Sequence, residues 1–554
     1  MAPRPPEGPA GYDFAPFFRE LEGAGWYEDD DLLKRLLRRH VSEADGPGGE
    51  AAGGWRERLR EWGREASGRL RRLARESARP ENRPRIEHFD ARGNRVDRIL
   101  LPESTRRALD VVEGREGLGA VTGDPFLHYA RVYLAGQNGE AGVACSVACT
   151  DGLVRVLEAH GGGEVHRRVL AQVRGSEPGR VVHGAQFVTE IQGGSDVPAN
   201  RTRAEPADGG SYRLHGQKWF CSNVNADHYL VTARPEGAPE GPAGIGLFLV
   251  PARLPLEVAG RGARSAGPLR GDVPADGSTH NPLFRNGHTV DRLKEKMGTR
   301  ELATAEVTFR GARAWPVGPA DRGLPILLRH VLAPSRFGCV LFAASALRRA
   351  ARVAGAYAGF REAFGRPIAE YPRVSGALER IREERRRALA AAFRLISLWE
   401  EARAAEGWTD PAGSPERSSR AALDWRIMLG LCKAELTRRA TRLVHEAVMI
   451  LGGNGIEESF SPLPRLHRDA VIMETWEGPY NVLLKQAMKD MDRFGVEAGA
   501  FAERTSGGAA GELAGRLRES LGGGHGDPDP VAFGPVARDL VSAFADRELR
   551  AAGG

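Results

Sequence analysis

Cysteine is scarce in this chain. The five present, Cys145, Cys149, Cys221, Cys339 and Cys432, are scattered and form no CxxC pair, which excludes a disulfide scaffold and structural zinc. Long apolar runs are missing too. The longest, GCVLFAASAL from Gly338 to Leu347, is roughly half of the ~20 residues a membrane span requires. The start, MAPRPPEGPAGYDF, lacks the apolar core of a signal peptide. The expectation is a reduced, cytoplasmic protein with no membrane association and no metal. There is no internal repeat, no GxGxxG and no GxxxxGK[ST]. The order of elements also lacks the βαβ alternation of a Rossmann fold, so any nucleotide cofactor must be held in another way.

What is present points to a multidomain globular chain. Its 554 residues exceed one compact core, and its 41% hydrophobic and 27% charged residues are ordinary for a soluble protein. The net charge of +6 permits a polyanionic partner without selecting one. Residues 1–185 read as helices broken by Gly-rich loops. Trp55, Leu59, Trp62, Ala66, Leu70 and Leu73 recur there at helical spacing, with Arg on the other faces. Residues 186–320 read as strands: SYRLHGQKWF, HYLVTARP, GIGLFLVP and ATAEVTFRGA are short β-rich runs bounded by turn residues. Within them, 259–287 reads as a loop insertion. Residues 321–492 return to helical period, with stripes through Phe337, Leu341, Ala344, Leu347, Ala351 and Ala354, through Ile381, Leu389, Leu395 and Leu398, and through Leu429, Leu436, Ala440, Leu443 and Ala447. This predicts a four-helix-type bundle. Residues 493–554 read as a Gly-rich extension, weakly ordered, with one helix in VARDLVSAFADREL. The fold class is therefore α+β: a helical domain, a central antiparallel β domain, and a helical bundle.

Three stretches carry polar groups suited to a ligand. FVTEIQGGSDV (Phe187 to Val197) offers the Thr189 and Ser195 hydroxyls around two glycines. GQKWFCSN (Gly216 to Asn223) puts Trp219, Phe220 and Ser222 on a strand, where a flat ring beside a hydroxyl can stack on a planar ligand. The third, LGGNGIEESFSPLPRLHRDAVIMETWEGPYN, ends on Glu477 between aromatic residues. A carboxylate in apolar surroundings is paired, exposed or functional.

Together these stretches resemble the acyl-CoA dehydrogenase family over roughly residues 100–490. Thr189, Glu190, Gly194, Ser195 and Asp196 match its TExxxGSD pattern, and Gly216, Lys218 and Asn223 its GxKxxxxN strand. REAFGRPI (Arg361 to Ile368) looks like its RxxFGxPI helix, and GGNG, RDA and an aromatic-Glu-Gly complete the set. GAGW (Gly23 to Trp26), FDARGNRVDRI and TEIQGGSDVPANRTRAE resemble the AidB-type members in particular. That branch is named for a DNA-associated flavoprotein of the alkylation response.

The resemblance implies FAD as cofactor and Glu477 as the base that removes the α-proton of an acyl thioester. It assigns Thr189, Ser195, Phe220 and Ser222 to the isoalloxazine ring, with Phe220 where many members have Trp. Arg361 and Phe364 would approach the FAD of a neighbouring subunit, Arg361 pairing with its pyrophosphate, and Gly452 and Gly453 would let that cofactor pass. Arg336 matches a widespread Arg of the substrate site. Two positions depart from the pattern: Met449 replaces a Gln that meets the neighbour's FAD, and Pro479 replaces a small hydroxyl residue, while Asn481 keeps an amide nearby. Implied partners are an acyl thioester of coenzyme A or acyl-carrier protein, an electron acceptor such as electron-transfer flavoprotein or oxygen, and further copies in a homodimer or homotetramer. Two alternatives stay open: an AidB-like DNA-associated flavoprotein, and a flavin-dependent monooxygenase on the same fold. Charge argues against DNA as a partner, since residues 482–554 hold nine Lys/Arg against eleven Asp/Glu.

Overall fold

The computed structural model describes residues 13–22, 25–41, 54–119, 123–255, 283–405, 419–507, 510–521 and 530–553. Helices α1 (Ala15–Glu22), α2 (Asp31–His40), α3 (Gly54–Glu65), α4 (Arg71–Ser77), α5 (Glu103–Leu109), α6 (Pro125–Gly136), α7 (Ala144–His160) and α8 (Glu164–Arg174) make up the N-terminal part. A π-helical turn at Ala66–Leu70 links α3 to α4. The stripe read from the sequence is buried along this rod, with Trp55, Leu59, Trp62, Ala66, Leu70 and Leu73 in the core. Helix α6 starts where Asp124 accepts a hydrogen bond from the Leu127 amide and Pro125 takes the first helical position.

This part is not purely helical, contrary to the sequence reading. Strands β1 (Arg85–Phe89) and β2 (Arg95–Leu100) form an antiparallel hairpin. Its turn closes because the Asp90 carboxylate accepts from the Arg92 and Asn94 amides and from Asn94 Nδ2. Ile86 and Ile99 pack on the core of the β domain, and the Val290 amide donates to Asp97 Oδ2. The hairpin's apolar face is thus satisfied by strands that come about 200 residues later, which no local pattern announces.

The β domain comprises β3 (Gly184–Phe187), β4 (Arg203–Pro206), β5 (Tyr212–Ser222), β6 (His228–Pro235), β7 (Gly246–Pro251), β8 (Arg253–Pro255), β9 (Leu283–Arg285), β10 (His288–Leu293) and β11 (Thr304–Pro316). The larger sheet runs β10-β11-β5-β4-β6-β3, and β7 pairs with both β6 and β11. Most pairs are antiparallel; β3 and β4 each run parallel to β6. The expected insertion at 259–287 falls largely on residues 256–282, outside the described residues. Its ends are pinned as a ladder, β8 on β9.

The bundle consists of α9 (Gly323–Leu327), α10 (Ala333–Phe360), α11 (Pro372–Ala404), α12 (Arg420–Leu451), α13 (Gly453–Ile456), α14 (Leu463–Thr475) and α15 (Tyr480–Arg493). The helical stretch Gly323–Phe360 is long and apolar enough to cross a membrane by length and composition. Its α10 portion is instead the bundle's core helix, buried at positions all round its circumference such as Phe337, Val340, Ala343, Leu347 and Val353. The REAFGRPI segment is not a helix. Helix α10 stops at Phe360, and β12 (Glu362–Ala363) turns back on β13 (Arg366–Pro367). Phe364 and Gly365 at its tip have φ of 51° and 84°, values a helix cannot contain.

The C-terminal extension also departs from expectation. It folds into α16 (Ala498–Ser506), α17 (Ala510–Ser520) and α18 (Pro530–Ala551). Helix α18 lies on α11, α12 and α15, with Phe533, Leu540, Val541 and Phe544 fully buried. Its position is fixed by Arg387 on Asp546 and by Arg39 and His40 on Glu548. Of the described glycines in this region, Gly507 ends α16 with φ of 68° and Gly511 lies in the first turn of α17. Leu540→Ala is expected to destabilise the protein by about 2–3 kcal/mol, measured as a shift of the denaturant midpoint; an unchanged midpoint would return this region to the status of a loose tail.

Candidate active site

Glu477 sits in the four-residue turn between α14 and α15, with φ of 58°, followed by Gly478 at 102°. A left-handed non-glycine residue carries strain of about 1–3 kcal/mol and persists where its surroundings over-determine it. Here the surroundings are two cations spent on backbone. Arg336 Nε donates to the Glu477 carbonyl at 2.9 Å, and Lys433 Nζ donates to the carbonyls of Glu474 and Gly478 at 3.0 and 2.7 Å. The Glu477 carboxylate itself receives one hydrogen bond from a described residue, from Ser335 Oγ to Oε1 at 2.9 Å. Burial pushes its pKa up, and Ser335, Arg336 and Lys433 pull it back only in part. The Tyr480 hydroxyl is committed elsewhere: it donates to Glu435 at 2.7 Å. Pro479 and Asn481 are exposed at the start of α15.

One helical turn beyond Ser335 an almost wholly apolar cavity begins. It is lined by Gly338, Leu341, Phe342 and Ser345 of α10, by Val132, Ala135 and Gly136 of α6, by Ala144 and Val147 of α7, and by Val112 and Leu118. It follows α10 for seven residues, roughly 10 Å. Its far end is the crossing of α6 over α10, where a Cβ on Gly136 would lie 2.8 Å from Ser345 Oγ.

A second group forms on the β domain. The Trp219 amide donates to the Thr189 carbonyl at 2.9 Å. Beneath this, Glu190 accepts from Lys218 Nζ at 2.7 Å, Thr202 Oγ1 at 2.6 Å and the Arg201 amide at 2.7 Å. This pair, buried on both sides, clamps the TEIQGGSD loop to β5. Both residues appear in the motifs, yet their role as a clamp was not read from them. Strand β5 then bulges: Lys218 pairs with Val307 and Cys221 with Ala305, so Trp219 and Phe220 stand opposite Glu306 alone. The bulge re-aims Phe220, which is 49% exposed, and Lys294 Nζ lies 4.9 Å from its ring centroid. Ser222 Oγ is 3.4 Å from Thr304 Oγ1, which accepts from Lys296. Thr189, Ser195, Phe220 and Ser222 thus lie on the loop and strand that the clamp joins.

Arg361, Phe364, Gly452 and Gly453 are elsewhere. Arg361 caps the C-terminal end of α10, roughly 37 Å along that helix from Arg336. Asn454, beside the two glycines, donates to the Tyr357 hydroxyl on the last turn of α10. Gly452 has φ of 59° and ψ of −131°, a conformation that favours glycine. Phe364 is 97% exposed.

The Asp of the RDA motif also has a structural place. Asp469 accepts from the amides of Thr299 and Glu140, joining bundle, β domain and N-terminal helices. It shares this junction with buried Glu140 and Glu301, and burial pushes Glu301 up to about 7.

Residues 185–312 match the acyl-CoA dehydrogenase middle domain, and residues 321–491 the acyl-CoA dehydrogenase C-terminal domain. The chain belongs to the acyl-CoA dehydrogenase family. Its relatives include acyl-CoA dehydrogenase family member 11 of Caenorhabditis elegans, 29% identical over 82% of this chain and 69% of the relative. The putative acyl-CoA dehydrogenase AidB of Escherichia coli K12 is 29% identical over 76% of this chain and 71% of the relative. Among solved structures, the apo form of Bd2924 superposes with a TM-score of 0.80 at 25% identity, covering 96% of this chain and 98% of its own. C. elegans ACDH-11 in complex with C11-CoA gives 0.76 at 25%, covering 94% and 86%.

This acyl-CoA dehydrogenase is an FAD-dependent oxidoreductase acting on CH–CH donors. The chain's residues fit that cofactor: a half-exposed flat ring, Phe220, shares a clamped loop and strand with the Thr189, Ser195 and Ser222 hydroxyls. Phe220→Ala is expected to weaken FAD retention roughly tenfold, read by equilibrium dialysis of the flavin. Equal retention would remove Phe220 from the cofactor face.

Proposed function

We propose that this acyl-CoA dehydrogenase desaturates an acyl thioester between its α and β carbons, with Glu477 as the base. The observation that carries the reading is the Glu477 carboxylate. It is half-buried with a pKa raised by burial, and among described residues it is hydrogen-bonded by one neutral hydroxyl, that of Ser335, which lies one helical turn from an apolar cavity. FAD, when bound, supplies the acceptor for the β-hydride. Ser335 holds one carboxylate oxygen, which leaves the other to take the α-proton made acidic by the thioester carbonyl. Arg336 and Lys433 hold the turn's backbone in its left-handed shape, so Arg336 acts as a positioning residue rather than as a direct substrate contact. The apolar lining along α10 suits the path of an acyl chain, and a structural relative is in complex with C11-CoA.

Arg361, Phe364, Gly452 and Gly453 lie too far along α10 to share one FAD with Glu477 in a single chain. They fit the cofactor of a second subunit, so we propose a homodimer or homotetramer. The electron acceptor is an electron-transfer flavoprotein or oxygen. The test is anaerobic addition of acyl-CoA thioesters of graded length to the FAD-loaded protein: bleaching of the flavin band by at least one of them is expected, and no bleaching by any overturns the reading.

A further inference from the structure

We propose that the protein binds a small inorganic anion of chloride size at Arg349, between α10, the chain before α2, and α14. Arg349 is 3% exposed. Its guanidinium lies 5.3 Å from the centroid of the Trp26 ring, and its Nη1 has no hydrogen-bond acceptor among the described residues. The indole Nε1 of Trp26 is likewise buried without an acceptor. The two side chains of this cation–π contact therefore each carry an orphan donor.

The charges around Arg349 make its isolation worse. The largest charges acting on it are Arg71, Arg352, Arg465 and Arg348, all of one sign. The nearby acids are already engaged: Asp30 by Arg348, Arg385, Tyr133 and the Leu33 amide, and Asp29 by Arg352. Arg465 donates to the carbonyls of Ala74 and Asn138, while its Nε is also unsatisfied. Burial, reinforced by these neighbours, pushes the pKa of Arg349 down to about 9, still above neutrality, so the group stays charged. A buried, uncompensated guanidinium costs several kcal/mol. An anion drawn from solvent offsets that cost and gives both orphan donors an acceptor. A site this enclosed favours a small monatomic ion over a nucleotide or a peptide carboxylate.

Arg349 is thirteen residues, roughly 20 Å, along α10 from Arg336, so the site is separate from Glu477. Its effect is on stability. In the FAD-loaded full chain, replacing gluconate by chloride at constant ionic strength is expected to raise the melting temperature saturably by roughly 2 °C or more. Arg349→Met is expected to abolish that rise while keeping any general salt response. A flat wild-type curve, or the same rise in Arg349→Met, overturns the site. If the variant does not fold, crystals of the wild-type protein soaked in bromide decide: an anomalous peak between Arg349 Nη1 and Trp26 Nε1 is expected, and its absence overturns the proposal.

Discussion

Glu477→Gln keeps its fold, its FAD and its affinity for thioesters, and slows flavin bleaching by roughly 10²–10⁴-fold. That is the expected result of anaerobic stopped-flow measurements with the best acyl-CoA of the graded series. The amide is nearly the same shape as the acid, so Ser335 and the backbone contacts of Arg336 and Lys433 survive. What is lost is the lone pair that accepts the α-proton. The wild-type rate is also expected to depend on pH with a sign set by the environment. Burial holds the Glu477 pKa above its ordinary value, so the rate falls as pH drops through a value higher than that of a solvated glutamate, and the fall disappears in the variant. A variant that bleaches as fast as wild type returns Glu477 to a structural role, the strained turn being then a feature of packing alone.

Glu190→Gln is expected to destabilise the β domain by about 3–5 kcal/mol, because it leaves the buried Lys218 ammonium without a counter-charge. Lys218 keeps only neutral partners, the Val188 carbonyl and Thr232 Oγ1. The pair also sets an acid limit. Desolvation raises the Glu190 pKa, but Lys218, Thr202 and the Arg201 amide outweigh it and hold it at about 2, against 4.5 for an ordinary glutamate. A carboxylate whose pKa is lower in the folded state contributes its stability fully above the unfolded value and loses it as pH falls toward the folded one. The contribution is thus complete above about 4.5 and lost between there and about 2. Urea melts of wild type and variant should differ at pH 7 and converge toward pH 2. A constant difference across that range would contradict the assignment.

How much of this was legible in the sequence differs from residue to residue. Glu477 stood out because a carboxylate between Trp476 and Tyr480 is rare and because the surrounding motifs fix its place. Its left-handed backbone did not, since that depends on Arg336 and Lys433 arriving from two other helices. Glu190 and Lys218 were visible as motif letters, but an ion pair between residues 28 apart is a tertiary fact. Phe220 points outward because of a bulge created by pairing with Glu306, and a bulge leaves no local signature in strand alternation. The helical stripes of the bundle were read correctly because their period is intrinsic to one helix. The hairpin at 85–100 was missed because RIEHF and RVDRIL do not alternate apolar with polar residues, and because its apolar face is covered from another domain. Helices α16 and α17 were missed for a related reason: short helices among glycines are stabilised by what they dock on, and propensity alone does not reveal it.

The ion pairs between α2 and α18 have a kinetic side. Arg39 and Glu548 are 509 residues apart, so one of the longest loops available to this chain closes there. Synthesis proceeds from the N-terminus, and the faces of α11 and α12 that receive Phe533, Leu540 and Phe544 stand bare until α18 emerges. Non-local closures of this kind are late and slow. During that interval the nascent bundle presents an apolar strip as long as α18, roughly 33 Å, to any other chain or chaperone nearby. Docking of α18 is therefore the event that closes this strip and ends the exposure.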